Sequence, residues 1–403
     1  MVRGLKRKMA DSCGVYIMIL QEYDAGKIIN KLRHFRRTLH CIPEIAFHES
    51  KAQAQVLSWL RTMEPDEIYP IAGTGVKAVF YADHALYTAA FRADMDGLPI
   101  QEESGVPYAS HHNGCMHGCG HDAHMAIALT TAEYVSRHRS ELSCNVVFLF
   151  QPGEEGAAGA KKMIACGALE NPHVNCIYGM HVFPGLPAGK LGVIEGPFLS
   201  RSFGFDIHIH GKSAHAAKAY EGVDAIAAAA DMITSLKREI TRPEEPCTAP
   251  VVLHVGSIHG GQRRNVVCDD VTMACTLRTF SNQEHDYTME RFSRIAQDLK
   301  AVYGITYGID VVQDYPVLVN DPLRTREYQQ INRDLLTPTD RQMISEDFAY
   351  YTEKCPAVFA LLGVGNTPPL HSSLFCLDEE PLFAGVEANL RLIYKTNRNE
   401  GIV

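Results

Sequence analysis

Apolar residues over positions 22–39 recur at helical spacing, with Ile28, Ile29, Leu32, Phe35 and Leu39 on one stripe, and predict a helix. Positions 52–63 repeat the pattern. Positions 76–81 and 87–91 are short apolar runs parted by a turn near Asp83 and His84, and read as strands. A helix is expected over 124–138 and a buried strand over 145–150. Strands alternating with helices predict an α/β sheet with helices on both faces. Ligands in such sheets gather at the carboxyl ends of strands. Residues 92–96, residues 151–156 and His181 each follow an apolar run, which points to one shared site.

The pattern changes from about Gly196. Residues 203–210 alternate as a half-exposed strand, and 222–240 form an alanine-rich helical stretch. Strands are expected over 251–257, 271–280 and 305–313, with a helix over 283–303. This is an α+β unit of roughly a hundred residues, a common size for an inserted domain. Tyr315-Pro316 marks a return, and 356–364 supplies another buried strand. The expected division is residues 1–195 with 315–403 as one domain, and 196–314 as the other.

Composition narrows the classes. The chain has 403 residues, 46% of them hydrophobic, which suits two globular domains. A net charge of −9 without a basic tract argues against nucleic acid as partner. The twelve cysteines do not fall at framework spacings and read as reduced thiols in a cytoplasm, some of them metal ligands. The N-terminal eight residues are basic, and the apolar run 15–20 is too short for a signal segment or a membrane span. A frayed extension before the first helix is the expectation.

The chemistry is concentrated at residues 115–124, where Cys115, His117, Cys119, His121 and His124 crowd into ten positions. If this segment were a strand, Cys119 and His121 would share a face, offering thiolate and imidazole to one point. A second cluster, Gln151-Pro152-Gly153-Glu154-Glu155-Gly156, follows an apolar run. Adjacent carboxylates there suit a metalloenzyme, one binding metal and the other moving protons. Read alone, the same pair could cap a helix start. His181 and His371, read alone, are ordinary structural histidines.

The segments Arg92-Ala93-Asp94-Met95-Asp96-Gly97-Leu98-Pro99, Cys119-Gly120-His121-Asp122-Ala123-His124, Gln151 to Gly156, Gly179-Met180-His181-Val182, Ser345-Glu346-Asp347-Phe348 and Leu370-His371-Ser372 change the picture together. In order and spacing they resemble the hippurate hydrolase and auxin-conjugate hydrolase group of the aminoacylase and zinc-exopeptidase superfamily. The resemblance runs from about Ile28 to Lys395. It implies a zinc-exopeptidase-like catalytic domain with a mixed sheet, plus an inserted lid and dimerisation domain. It also implies two divalent metal ions per subunit (zinc, manganese, cobalt or nickel). Cys119 would be the shared thiolate, with His121, Glu155, His181 and His371 as the other ligands. Glu154 would be general base and then acid. Asp94, Asp96 and Asp122 are assigned as groups that orient the ligands. His124 is expected behind the site rather than on a metal, Cys115 as non-ligating, and His111, His112 and His117 as loop residues.

In the inserted domain, Gly211-Lys212-Ser213-Ala214-His215-Ala216-Ala217 resembles a segment whose histidine reaches a dimer partner's site and stabilises the oxyanion. Asn265 and Arg278 resemble positions that hold the substrate carboxylate. The chain departs from the family pattern at Lys218 to Glu221, Cys268, Cys275 and Ala357, none of them a proposed ligand. The implied reaction is hydrolysis of an N-acyl amino acid by a homodimer or dimer of dimers, with no nucleic acid or membrane partner. A dipeptidase or an N-acetyl-diaminopimelate deacetylase shares the centre. A non-catalytic ligand-binding homologue is the competing class, and the intact Glu154 argues against it.

Overall fold

A computed structural model describes residues 25–142, 144–240 and 250–395. The expected N-terminal extension lies outside the described residues. The chain divides into two units, one of residues 1–195, 320–339 and 351–403, the other of residues 196–319 and 340–350.

The first unit is built on a seven-stranded mixed sheet. Its strands are β1 (Glu67–Ile71), β2 (Gly75–Phe80), β3 (Thr88–Asp94), β4 (Asn145–Gln151), β5 (Cys176–Phe183), β6 (Leu191–Gly192) and one late strand, Ala357–Gly363. The spatial order is β1-β2-β4-β3-β5, then Ala357–Gly363, then β6. Strands β4, β3, β5 and Ala357–Gly363 run parallel to one another, and the outer pairings of β1 with β2, β2 with β4 and Ala357–Gly363 with β6 are antiparallel. All seven residues of β3 are buried, as expected of a parallel strand covered on both faces. Helices α1 (Ala25–His40), α2 (Ser50–Arg61) and α3 (His121–Arg137) belong to this unit, as does the C-terminal helix Phe383–Lys395. The predicted stripe on α1 buries Ile28, Leu32, Phe35 and Leu39 in one core with Ala126, Leu129 and Val386.

Two boundaries differ from the sequence reading in ways that matter. Strand β3 extends through Asp94, so the Asp94 carboxylate stands at the carboxyl end of a central strand. Helix α3 begins at His121, three residues before the expected start.

In the second unit an antiparallel sheet has the order β10-β7-β9-β8 when its strands are taken as β7 (Arg201–His210), β8 (Val252–Gly260), β9 (Asp270–Thr279) and β10 (Thr306–Tyr315). Phe203, Phe205, Ile207 and Ile209 alternate inward from β7, and Val271, Met273, Cys275 and Leu277 from β9. They pack with Ala228, Met232 and Leu236 of α4 (Ala225–Ile240) and Phe292 and Ala296 of α5 (Asn282–Tyr303). Residues 315–319 and 340–350, assigned by sequence to the first domain, cluster with this unit. The pairing of Tyr315 with Ser202 carries β10 past the expected boundary.

Among the described residues no helix is long and apolar enough to cross a membrane. All ten described cysteines are free thiols.

Candidate metal centre

The first unit brings Cys119, His121, Glu154, Glu155, His181 and His371 into one cluster. Donor atoms of Cys119, His121 and His181 lie within 4.8 Å of one another, and so do those of Cys119, Glu155 and His371. His121, Glu154 and Glu155 form a third such triple. The Cys119 sulfur is 3.3 Å from Nε2 of His181 and 3.3 Å from Nε2 of His371. His371 Nε2 is in turn 3.1 Å from Glu155 Oε1.

The local backbone explains the convergence. Gly120 has φ 85°, and a Cβ there would collide with Val182 Cγ2. This left-handed residue turns the chain between Cys119 and the first residue of α3. Cys119 and His121 share a direction through that turn, not through the strand alternation expected from sequence. His371 also has positive φ, at 64°, and its amide donates to Gly118 O at 2.8 Å. Strain of that kind in a non-glycine residue accumulates at sites where position matters more than comfort.

Groups behind the donors fix their orientation. Nδ1 of His121 donates to Asp96 O at 2.9 Å, and Nδ1 of His181 to Val182 O at 2.7 Å. Both rings therefore present Nε2 inward. The Asp96 carboxylate accepts the amides of Glu154 at 3.1 Å and Glu155 at 2.9 Å. Asp94 accepts from Arg92 at 2.7 Å and from His124 Nδ1 at 2.6 Å. His124 Nε2 accepts the Val182 amide at 2.9 Å, so both its nitrogens are engaged.

Asp122 departs from its expected role. Its Oδ2 accepts from Arg36 Nε at 3.0 Å and lies 2.8 Å from His40 Nδ1, both on α1. Its bonds tie α3 to α1, because one step along the helix from His121 turns the side chain by about 100°. His40 Nε2 reaches Glu102 at 3.2 Å, and Arg36 also reaches Glu379 at 3.3 Å. The sequence reading missed this buried network. Its signal was Arg36 and His40, four apart on a helix with an otherwise simple apolar stripe. His117, expected in a loop, is in one, but it is buried with both ring nitrogens lacking a hydrogen bond.

The electrostatics fit a cation. Burial pushes the Cys119 thiol well up, and the charges of Glu155, Glu154 and Asp94 push it further. Burial opposes charge on His121, yet Asp94, Asp96 and Glu155 outweigh it and raise that group to about 10. His181, buried and facing His124 and His121, is lowered to about 3. Nε2 of His121 is buried and makes no hydrogen bond. The Cys119 thiol, the Glu154 and Glu155 carboxylates and the imidazoles of His121, His181 and His371 together match the donors that divalent transition metals take.

The second unit places its candidates separately. His215 is exposed, and its Nδ1 accepts the Ala217 amide at 3.1 Å, leaving the ring proton on Nε2. The Ala216 amide donates to Asn265 O at 3.0 Å, so these two segments are joined. Arg278 lies on β9 between Ser202 and Val252. Its Nη1 is buried without a hydrogen bond, and burial lowers its pKa.

The sequence pattern of peptidase family M20/M25/M40 matches residues 90–395. An N-acetyldiaminopimelate deacetylase of Shouchella clausii is 34% identical over 365 residues, covering 89% of this chain and 96% of the relative. The IAA-amino acid hydrolase ILR1-like 4 of Arabidopsis thaliana is also 34% identical, covering 89% and 84%. Among solved structures, the YXEP protein of Bacillus subtilis, described as a dinuclear metal binding peptidase of the M20 family, superposes with a TM-score of 0.81. It is 33% identical and covers 92% of this chain and 99% of that one. This chain belongs to peptidase family M20/M25/M40.

Proposed function

We propose that this chain is a metal-dependent amidohydrolase that cleaves the amide of an N-acyl amino acid to a carboxylic acid and a free amino acid. One observation carries the reading: the Cys119 sulfur belongs to two donor triples at once. A thiolate so placed suits two cations, with His121 and His181 beside one and Glu155 and His371 beside the other. Such ions, when bound, polarise the substrate carbonyl and make water acidic enough to attack at neutral pH.

The chain's own groups do the rest. Glu154 is nearly buried, and its Oε2 lies 4.0 Å from His121 Nε2. It takes a proton from the attacking water and returns it to the leaving nitrogen. Asp96 holds Glu154 and Glu155 in register through their amides. Arg278, aided by Asn265, binds the substrate's carboxylate with its planar fork. His215 of a second copy donates from Nε2 to the carbonyl oxygen as its charge develops. The first unit is thus catalytic and the second a lid and dimerisation domain.

Within the family, the hippurate and auxin-conjugate hydrolase group is the placement we favour. The Arabidopsis relative supports it, and the deacetylase relative supports an N-acetyl substrate for the same centre. A cytoplasmic location fits the free thiols of the described residues, and a homodimer or dimer of dimers is what the role given to His215 requires. A hydrolysis screen of N-acetyl, N-benzoyl and N-indoleacetyl amino acids and dipeptides, run with zinc, manganese, cobalt and nickel, tests the proposal. Turnover of an N-acyl amino acid is expected. Metal-loaded protein inert on all of them would overturn it.

A further inference from the structure

Glu49 occupies the residue just before α2 yet makes no side-chain cap to that helix. Glu44 does the capping, accepting the amides of Lys51 at 2.7 Å and Ala52 at 3.2 Å. Glu49 is instead fully buried. Its Oε1 accepts the Gly153 amide at 2.9 Å, and its Oε2 accepts the Thr74 hydroxyl. A carboxylate removed from water is costly unless well bonded, and α2 does not need this one.

The contact falls on the residue before Glu154. Three consecutive amides, of Gly153, Glu154 and Glu155, are thereby held by two carboxylates, Glu49 and Asp96. Gly153 is gripped on its other sides as well. Its carbonyl accepts the Gly159 amide at 2.9 Å. It has φ 66°, and a Cβ there would lie 2.9 Å from the Phe47 ring. Lys162 Nζ sits 4.0 Å from the centroid of that ring. The segment carrying the two glutamates is fastened to the start of α2 at one atom.

We propose that Glu49 is a positioning residue for catalysis: its bond to the Gly153 amide sets where the Glu154 carboxylate stands. The proposal rests on Glu154 being the proton carrier. A displacement of about 1 Å in such a group costs up to ~10²-fold in rate. Reach, not charge, is what the bond requires. An uncharged amide of the same length keeps an oxygen to accept the Gly153 amide, and burial, which pushes the Glu49 carboxyl up, does not oppose it.

Glu49→Asp keeps the charge and shortens the reach, whereas Glu49→Gln keeps the reach and removes the charge. With metal-loaded protein, E49D should lose roughly 10- to 100-fold in kcat, with KM and metal content near those of the parent. E49Q should stay within about threefold. Wild-type kcat in E49D, or an equal loss in E49Q, overturns the proposal, as does metal loss in proportion to activity. Should E49D not fold, Thr74→Val frees Oε2 and should lower kcat several-fold, about 3- to 10-fold, and an unchanged kcat overturns the proposal equally. Glu154→Gln belongs in the same series. An active E154Q refutes the role of Glu154 itself. A dead E154Q beside a normal E49D refutes only Glu49.

Discussion

Histidine appears in both units in opposite settings. His181 in the first unit is buried, tied at Nδ1 to Val182 O and lowered to about 3. His215 in the second is exposed and tied at Nδ1 to its own short turn. The first is a donor with no freedom, placed by strand β5 and its bond to Val182 O. The second is exposed, with its Nε2 proton turned away from the Ala217 amide that holds Nδ1. In the function proposed above, the buried group is the rigid half, which holds metal, and His215 is the presented half, which supplies one hydrogen bond. Each half fails differently when altered.

The largest effect is expected in the rigid half. Glu154→Gln keeps shape and metals but cannot take a proton, and kcat should fall by ~10²–10⁴-fold or more. Elemental analysis beside steady-state kinetics checks both parts. Near-normal turnover would remove Glu154 from the chemistry.

The presented half comes next. Loss of one oxyanion donor typically costs ~10²–10³-fold, so His215→Ala should be nearly inactive while keeping its metals. If His215 acts on a second copy, mixing H215A with E154Q chains restores up to about half the activity per heterodimer, by site counting in a two-fold dimer. Proven heterodimers without recovery would place His215 in its own chain's chemistry or none.

Arg278→Ala should act mainly on KM. A charge-assisted hydrogen bond is worth about 2 kcal/mol, which is roughly 30-fold in affinity. An amidated substrate lacking the free carboxylate should show no difference between the two proteins. Equal losses on both substrates would make Arg278 structural.

The smallest effect on turnover belongs to the network behind α3, which acts on stability instead. Burial opposes charge on His40, but Asp122 and Glu102 raise it from 6.5 to about 9. A raised histidine contributes stability that is fully present below pH 6.5 and is lost as pH rises through 9. Burial opposes charge on the half-buried Glu102, but its bonds to His40, Ser104 and the Ser110 amide lower it from 4.5 to about 2, so its share is present above 4.5 and is lost as pH falls through about 2. The network therefore stabilises most between about pH 4.5 and 6.5. The stability difference between parent and His40→Gln should shrink from pH 6 to pH 9, from at most roughly 3 kcal/mol. A pH-independent difference in denaturant midpoints would contradict the assignment.

The sequence made the chemistry of residues 115–124 and 151–156 legible because donor types in close succession are rare as packing. It made β7 and α5 legible because their periodicities are clean. It misled on how Cys119 and His121 converge, since a left-handed glycine and a strand step give the same spacing in one dimension. Asp122 shared its motif with true candidates, but its direction depends on the helix starting at His121. Glu49 was invisible because a glutamate before a helix reads as an ordinary helix start. Its partners, Thr74 and Gly153, are brought near only by the sheet.

The central claim is that the Cys119 sulfur serves two cations. Cobalt titration of the metal-free protein tests it directly, because thiolate bound to cobalt absorbs in the near ultraviolet. The account predicts a thiolate band that grows through two equivalents per chain, and a Cys119→Ser protein with no such band and weaker uptake of both ions. A band complete at one equivalent, or a Cys119→Ser protein that binds two cobalt ions as tightly as its parent, would contradict it.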